Sequence, residues 1–230
     1  MKITTTLLSI LILTFTGKTQ VTDLGFQFKT NLSNQFTKVL KETNETSIEH
    51  DLLSLGGDLY VDYKLSNHFS LNAKLGYEQK GFTNKILTNV IGLNTTEPIS
   101  QNIKNKYQFN YLALDLNVKY YINTNNIKPY LFGGISTGSL LSKKLISSIS
   151  EPDTFTEMIW NDNFNKKYNS YSNYNFGFIT GLGINYKNIF WTELEFNRDI
   201  ISPIKSSSIL VKNRVYSINL GLNIFELFKK

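Results

Sequence analysis

The chain has 230 residues, of which 41% are hydrophobic and 13% aromatic, and its formal net charge is +6. It contains no cysteine, which excludes a disulfide scaffold, a cysteine-ligated zinc or iron–sulfur site and a thiol nucleophile. The positive charge forms no basic stripe interleaved with stacking aromatics, so it does not indicate a nucleic-acid-binding protein.

The N-terminal residues have the pattern of a secretory signal peptide. Lys2 precedes the apolar stretch Leu7–Phe15, which is followed by Gly17 and the residues up to Gln20. Because that stretch is too short to cross a membrane as a helix, we expect Sec export with cleavage after Thr19, and an uncleaved anchor is the alternative. The expected organisation is a signal peptide over residues 1–19 and one domain over residues 20–230.

Eight later segments alternate between apolar and polar or small residues, as strands with one oily and one wet face do. The segment Tyr174–Tyr186 is the clearest, with aromatics at both ends of its oily face. Strands of soluble proteins run about 5–6 residues, whereas a tilted strand that crosses a bilayer needs about 9–11. In chain order, the predicted strands are Leu24–Leu32, Leu55–Leu65, Phe69–Lys80, Tyr107–Ile122, Pro129–Leu141, Tyr174–Tyr186, Ile189–Asp199 and Asn213–Phe225.

The connections between these strands are alternately long and short. The short ones are Ser66–His68, Asn123–Lys128 and Lys187–Asn188, and the four others are predicted as long polar loops. Lipid leaves no partner for an open sheet edge, so a spanning sheet must close. We therefore predict an all-β fold: an eight-stranded antiparallel up-and-down transmembrane β-barrel with short periplasmic turns, long extracellular loops and both termini in the periplasm. Gly133 and Gly134 leave the phase of residues 129–141 open.

The wet faces of the strands would form the lumen, which side chains fill in a small barrel. Acids and bases occur there in roughly equal numbers, so we expect them to pair into a charge network that plugs the lumen; a narrow conducting path or a proton relay is the alternative. Glycines on the same faces, among them Gly183 and Gly221, would leave room for Tyr60, Tyr121 and Trp191. The predicted network comprises Asp58, Asp62, Lys64, Lys74, Glu78, Lys80, Asp115, Lys119, Glu193, Glu195 and Arg214.

Enzymatic and ligand-binding motifs are weak. His68 and Ser70 have a spacing similar to that of outer-membrane lipid A deacylases, but they border a predicted periplasmic turn, the wrong end for outer-leaflet lipid. His50 and Asp51 are similar to the acid–histidine pairs of outer-membrane proteases, without an evident second carboxylate pair. We predict no catalytic residue, no cofactor and no metal site. The lysines of the longest predicted loop, Lys143, Lys144, Lys166 and Lys167, are candidates for contact with lipopolysaccharide phosphates, or are merely solvated.

The C-terminal half resembles the PorT-like outer-membrane β-barrel family of Bacteroidetes. The residues that carry the resemblance are Phe176-Gly177, Gly181 to Tyr186, Glu193 to Asn197 and Asn213-Arg214 with Ser217 to Leu222, together with Pro129-Tyr130 and Gly133-Gly134. The resemblance implies an eight-stranded barrel, Sec export and insertion into the bacterial outer membrane. It supplies no catalytic residues, and some members serve the type IX secretion and gliding apparatus.

The expected function is that of a non-enzymatic integral outer-membrane barrel with a charged, plugged lumen and outer loops that contact a partner or the cell surface. The alternatives are an accessory component of a type IX-like secretion machine, a barrel enzyme acting on lipid or peptide, and a soluble lipocalin-type barrel with an apolar interior. Outer-membrane lipid and lipopolysaccharide are the expected partners, envelope or secretion-system proteins are further candidates, and we expect a monomer that binds no nucleic acid.

The predicted membrane barrel can be tested by its migration in a gel. The mature chain should migrate faster in a denaturing gel when it is left unheated than after boiling, because the hydrogen-bonded barrel resists the detergent until it is heated. Identical migration of both samples would contradict the barrel.

Overall fold

The structure is a computed structural model that describes residues 21–39, 47–91, 98–122, 126–149, 172–201 and 209–228. The predicted signal peptide, Lys166 and Lys167 lie outside these residues. Nine strands and one short helix are described: β1 (Val21–Val39), β2 (Ser47–His50), β3 (Leu52–Lys64), β4 (Phe69–Ile91), β5 (Pro98–Tyr121), β6 (Ile127–Ile149), β7 (Tyr174–Tyr186), β8 (Phe190–Asp199), β9 (Ile209–Asn223) and α1 (Ile224–Phe228).

Eight of these strands close into an antiparallel up-and-down barrel. Each pairs with its neighbour in the chain, and β1 pairs with β9 from Gly25 opposite Asn223 to Val39 opposite Ile209, so the first and last strands join. The ninth strand, β2, pairs only with β4, beyond the point where β3 begins. The predicted fold class is confirmed.

The two faces of the wall differ sharply in chemistry. Along β7, for example, Phe178, Leu182 and Ile184 are exposed, whereas Asn175 and Asn185 are buried. The exposed apolar side chains form the band that faces lipid, and the buried face is polar and charged. This arrangement is the reverse of the apolar interior that a lipocalin-type barrel needs. In β6 the structure settles the phase, because Tyr130 and Phe132 face inward and Leu131 faces outward.

The strands extend well past the predicted ends. β4, β5 and β6 have 23, 24 and 23 residues, and the β4–β5 ladder continues from Phe69 opposite Tyr120 to Ile91 opposite Pro98. The predicted loops after Lys80 and after Leu141 are therefore partly wrong. Outside a bilayer the outward face of a strand is no longer apolar, so the alternation stops while the hydrogen-bonded ladder goes on.

The short connections all lie at one end of the barrel, which we call the turn end; the opposite end is the loop end. Lys187 and Asn188 have φ angles of 53° and 59°, and the Ile189 N–H donates to the Tyr186 carbonyl at 3.0 Å. Positive φ at both central residues is what a type I′ turn requires, and this turn matches the twist of the flanking strands. The predicted turn at Lys187–Asn188 is confirmed.

The chain leaves the barrel at the turn end through α1. The last strand was predicted to reach Phe225, but β9 ends at Asn223, whose side-chain oxygen accepts a hydrogen bond from the Phe225 N–H at 3.0 Å. Asparagine oxygens commonly satisfy such free backbone donors at the start of a helix. Among the described residues, no helix is long and apolar enough to cross a membrane.

Glycines make space for large rings inside the wall. A Cβ atom added at Gly221 would lie 2.0 Å from Trp191 Cε2, and one added at Gly183 would lie 2.5 Å from Tyr130 Cζ. Trp191 packs edge-on against Tyr60 with ring centroids 5.3 Å apart. The indole therefore occupies the space that a side chain at position 221 would fill.

Replacing Gly221 with alanine should destabilise the barrel by about 1–3 kcal/mol, because the new methyl group overlaps the buried Trp191 ring. The matched control is Gly133→Ala, where the nearest atom to the new Cβ is 3.8 Å away. The free energy of unfolding in urea, measured in lipid vesicles, checks this, and equal stability of the two variants would contradict the packing.

Candidate functional site

The lumen contains a network of ion pairs, which we call the lumen network. One centre of it is Lys29 on β1, whose ammonium nitrogen lies 2.8 Å from Asp58 Oδ2, 3.3 Å from Asp115 Oδ2 and 3.5 Å from Glu195 Oε1. These carboxylates come from β3, β5 and β8, and all four side chains are almost completely buried. A single cation thus links four separate strands across the lumen.

Two further lysines continue the network toward the turn end. Lys74 Nζ lies 2.7 Å from Glu193 Oε2 and 3.3 Å from Glu195 Oε2. Lys119 Nζ lies 2.9 Å from Asp62 Oδ2 and 3.7 Å from Glu193 Oε1. Because Glu195 also contacts Lys29, the ion pairs form one continuous chain from Asp62 to Asp58.

A separate group lies nearer the loop end. Lys80 Nζ is 3.1 Å from Glu78 Oε2 and 3.8 Å from Asp199 Oδ1. Asp199 also accepts hydrogen bonds from the side-chain amides of Asn213, at 2.6 Å, and Asn175, at 3.4 Å. Charged side chains therefore occupy successive levels of the lumen on both sides of Lys29.

Aromatic rings surround the buried lysines as well. Lys119 Nζ lies between 5.1 and 5.8 Å from the ring centres of Tyr60, Tyr130 and Trp191, and Lys74 Nζ lies 5.1 Å from that of Phe132. The negative faces of these rings attract the ammonium groups, and the effect is stronger where water is excluded. The rings thus help to offset the cost of burying the lysines.

Carboxylates outnumber lysines in this interior. Among the described residues the buried charged side chains include four lysines and eight acids: Lys29, Lys74, Lys80 and Lys119 with Asp23, Asp58, Asp62, Glu78, Asp115, Glu193, Glu195 and Asp199. The sequence analysis predicted roughly equal numbers of acids and bases in the lumen, and for the described residues this prediction is wrong. Neutral donors supply part of the difference, since Asn219 Nδ2 donates to Glu195 at 3.0 Å, Tyr130 OH donates to Glu193 at 2.8 Å and Asn223 Nδ2 donates to Asp23 at 2.6 Å.

Nine of the eleven residues predicted for the network are buried in the lumen, namely Asp58, Asp62, Lys74, Glu78, Lys80, Asp115, Lys119, Glu193 and Glu195. Two predictions are wrong. Lys64 is exposed, because it is the last residue of β3 at the turn end. Arg214 has the parity of the outward-facing Tyr216 and Ile218, opposite to that of the buried Ser217 and Asn219.

Sequence reasoning missed three buried charges, at Lys29, Asp199 and Asp23. The signal for Lys29 was present, because it alternates with the outward-facing Phe26 and Phe28 on β1. Asp199 likewise continues the inward series Glu193, Glu195 and Asn197 along β8. Side chains of a strand alternate between its two faces, so extending that alternation along β1 and β8 would have placed Lys29 and Asp199 in the lumen.

From the level of Glu78 and Lys80 toward the loop end, the lumen is lined by apolar and aromatic side chains together with the buried polar residues Asn84 and Asn105. Phe82 and Tyr107 stack with ring centroids 4.2 Å apart, and Leu52, Phe109 and Tyr111 are also buried. Successive inward positions of β5 carry Tyr107, Phe109 and Tyr111. We call these five apolar and aromatic residues the aromatic layer; Leu52 and Phe82 lie where polar loops were predicted, and the other three lie in the strand predicted from Tyr107.

Outside the barrel, the loop end carries lysines on the wall rather than on a loop. Lys144 belongs to β6, where it pairs with Gln108 and is exposed, whereas Lys143 pairs with the buried Phe109 and is half-buried. Lys85 and Lys104 lie directly opposite each other on β4 and β5, and Lys106 follows on the same outward face. Lys85, Lys104, Lys106 and Lys144 form what we call the wall patch.

Neither histidine belongs to a catalytic arrangement in the described residues. His68 is exposed at the turn end, where its Nδ1 is hydrogen-bonded with the Tyr121 carbonyl at 2.9 Å, while Ser70 is buried in the wall. His50 is exposed at the loop end. No group of three metal-ligating side chains occurs in the part of the chain that the structure describes.

The lumen network predicts a strong effect of removing Lys29. Lys29→Met leaves Asp58, Asp115 and Glu195 buried without their shared cation, so the free energy of unfolding should fall by about 3–5 kcal/mol. The exposed Lys144→Met should change it by less than about 0.5 kcal/mol. Unfolding in urea in lipid vesicles measures both, and the double variant Lys29→Met/Glu195→Gln should recover part of the loss. Equal stability of the two single variants would contradict the network.

The barrel was compared with solved structures and with protein families. Among solved structures it is similar to Ail, the attachment invasion locus protein of Yersinia pestis, with 10% identity over 88% of this chain and 100% of that chain and a TM-score of 0.38. It is also similar to OprG from Pseudomonas aeruginosa (14% identity, 88% and 97% covered, TM-score 0.37) and to the outer membrane enzyme PagL (10% identity, 85% and 99% covered, TM-score 0.34).

No curated protein matches the chain. A family model described as the outer membrane protein beta-barrel domain matches residues 18–202, which is well over half of the chain. The location that this family implies is the outer membrane. The chain therefore belongs to the outer membrane protein beta-barrel domain family.

Proposed function

We propose that this protein is a non-enzymatic outer-membrane barrel whose lumen is closed to solutes and whose loop end contacts the cell surface. In this proposal the turn end and both termini face the periplasm after Sec export, and the loop end faces outward. The observation that carries the closed lumen is the lumen network, in which the four buried lysines are at most 2% exposed. An ion that crossed the barrel would have to displace these paired side chains.

The aromatic layer supports the same proposal at the loop end. Its side chains are at most 5% exposed, and Phe82 and Tyr107 stack face to face. At the opposite end, Trp191 and Tyr60 pack against each other beside Lys119. Hydrated ions do not enter such apolar constrictions readily, since narrow hydrophobic segments exclude water.

The wall patch supports contact with an anionic surface. Lys85 and Lys104 pair directly across two strands, although like charges in this arrangement repel each other. Phosphates of lipopolysaccharide would neutralise that repulsion, and Lys144 would contribute from β6. The proposed contact of Lys166 and Lys167 with the same surface, and the narrower resemblance to PorT-like barrels of Bacteroidetes, stay predictions.

A planar-bilayer measurement tests the closed lumen. The purified barrel should show no steady single-channel conductance in salt, whereas an open porin inserted under the same conditions provides the positive control. We expect no conductance because the buried ion pairs and the aromatic layer fill the lumen. Stable, ohmic channels that scale with the amount of added protein would overturn the proposal, and the heat-dependent gel shift checks that the added barrel is folded.

A further inference from the structure

The short helix α1 at the turn end exposes large apolar side chains. Phe225 and Leu227 are nearly half exposed and Phe228 is 80% exposed, and no residue of α1 is buried. At 3.6 residues per turn, these three side chains and Ile224 share one side of the helix, whereas Glu226 lies on the other. Helix α1 is therefore amphipathic, with an apolar side that the described strands do not cover.

This apolar side continues the band that faces lipid. The last outward row that β8, β9 and β1 share at the turn end is apolar, because Leu222 lies directly between Phe190 on β8 and Phe26 on β1. Both phenylalanines are exposed on the outside of the wall. Ile224, the first residue of α1, follows Leu222 by two positions, a spacing that covers about 7 Å along a strand. Helix α1 thus begins next to side chains that contact acyl chains.

One side chain links α1 to the junction of the first and last strands. The Asn223 side-chain amide donates to Asp23 Oδ1 of β1 at 2.6 Å, while its oxygen accepts a hydrogen bond from the Phe225 N–H at 3.0 Å. Helix α1 also packs beside β1, the strand that neighbours β9 around the barrel. The helix therefore follows the rim of the wall, where its apolar side can reach lipid.

Basic and aromatic side chains at the same end of the barrel fit a phospholipid headgroup region. Lys187 in the β7–β8 turn is exposed, and its ammonium nitrogen lies 5.2 Å from the ring centre of the outward-facing Tyr186. Tyr186 pairs with Phe190, so it belongs to the outward row next to α1. Lys64 at the end of β3 is exposed as well. Tyrosine rings and lysine ammonium groups of this kind are typical of membrane–water interfaces, so the membrane surface lies at the level where α1 begins.

We infer that α1 lies in the headgroup region of the phospholipid leaflet at the turn end, with Phe225, Leu227 and Phe228 inserted at the boundary with the acyl chains. In water these side chains would form an exposed apolar patch, and lipid removes it from water. Amphipathic helices at membrane surfaces bury their apolar side in this way, to a depth of about 5–10 Å. Because Asn223 ties α1 to both β1 and β9, the barrel sets that depth. In the proposed orientation this is the periplasmic leaflet.

Site-directed spin labelling tests this inference, since the chain contains no cysteine and a single introduced one carries the label. A nitroxide is attached to Phe228→Cys in the barrel folded into vesicles of phosphatidylethanolamine and phosphatidylglycerol. Its collisions with oxygen, which concentrates in lipid, are compared with its collisions with a water-soluble nickel chelate. We expect oxygen collisions to exceed chelate collisions several-fold, as at Leu220→Cys in the lipid-facing band, and the reverse at Asn67→Cys in the exposed β3–β4 turn.

Either of two other outcomes would overturn the inference. A label at Phe228→Cys that collides mainly with the chelate, as at Asn67→Cys, would show that α1 lies in water. Weak collisions with both reagents would show that a protein surface, such as a second copy of this chain, covers α1. Leu227→Cys should repeat the Phe228→Cys result, and the heat-dependent gel shift confirms that each labelled variant has folded. A conducting barrel would overturn the proposed function while leaving the labelling result intact.

Discussion

Lipid offers no hydrogen-bond partner to a peptide group, and the rest of this structure depends on that constraint. The sheet must close, so β1 has to pair with β9 although the two lie at opposite ends of the chain. Closure with eight strands leaves an interior just wide enough for side chains. Charged groups that point inward then have to pair with one another, and Lys29 accordingly contacts carboxylates of three other strands.

The part of the fold that lies in the membrane could be predicted from the sequence, because lipid imposes the apolar face. β7 was predicted with its observed limits, and β8 within one residue. The outer halves of β4, β5 and β6 could not be predicted in this way. There the outward face is polar, and the inward face carries both aromatic residues such as Phe82 and polar residues such as Asn84 and Asn105, so no regular alternation of apolar and polar residues marks the strand.

The same argument explains the outcome for the lumen charges. Glu193 and Glu195 could be placed inward because they alternate with outward-facing apolar residues inside the bilayer. Arg214 could have been placed outward, because it alternates in phase with Tyr216 and Ile218. Lys64 could not, because it has the inward parity and is exposed only through its position at the end of β3. Which carboxylate pairs with which lysine depends on the three-dimensional stagger of the strands. Residues far apart in sequence, such as Lys74 and Glu193, therefore meet without any local signal.

The contacts of Lys29 also bear on the order of folding and on the lifetime of the folded barrel. They join β1 to β8, so they form only after the strands at the two ends of the chain have come together. Interactions made after the rate-limiting step do not accelerate folding, but they must be broken before the protein can open, and they slow unfolding. The Lys29 contacts must be broken before β1 can separate from β8, so the lumen network opposes opening of the barrel at the junction of the two chain ends.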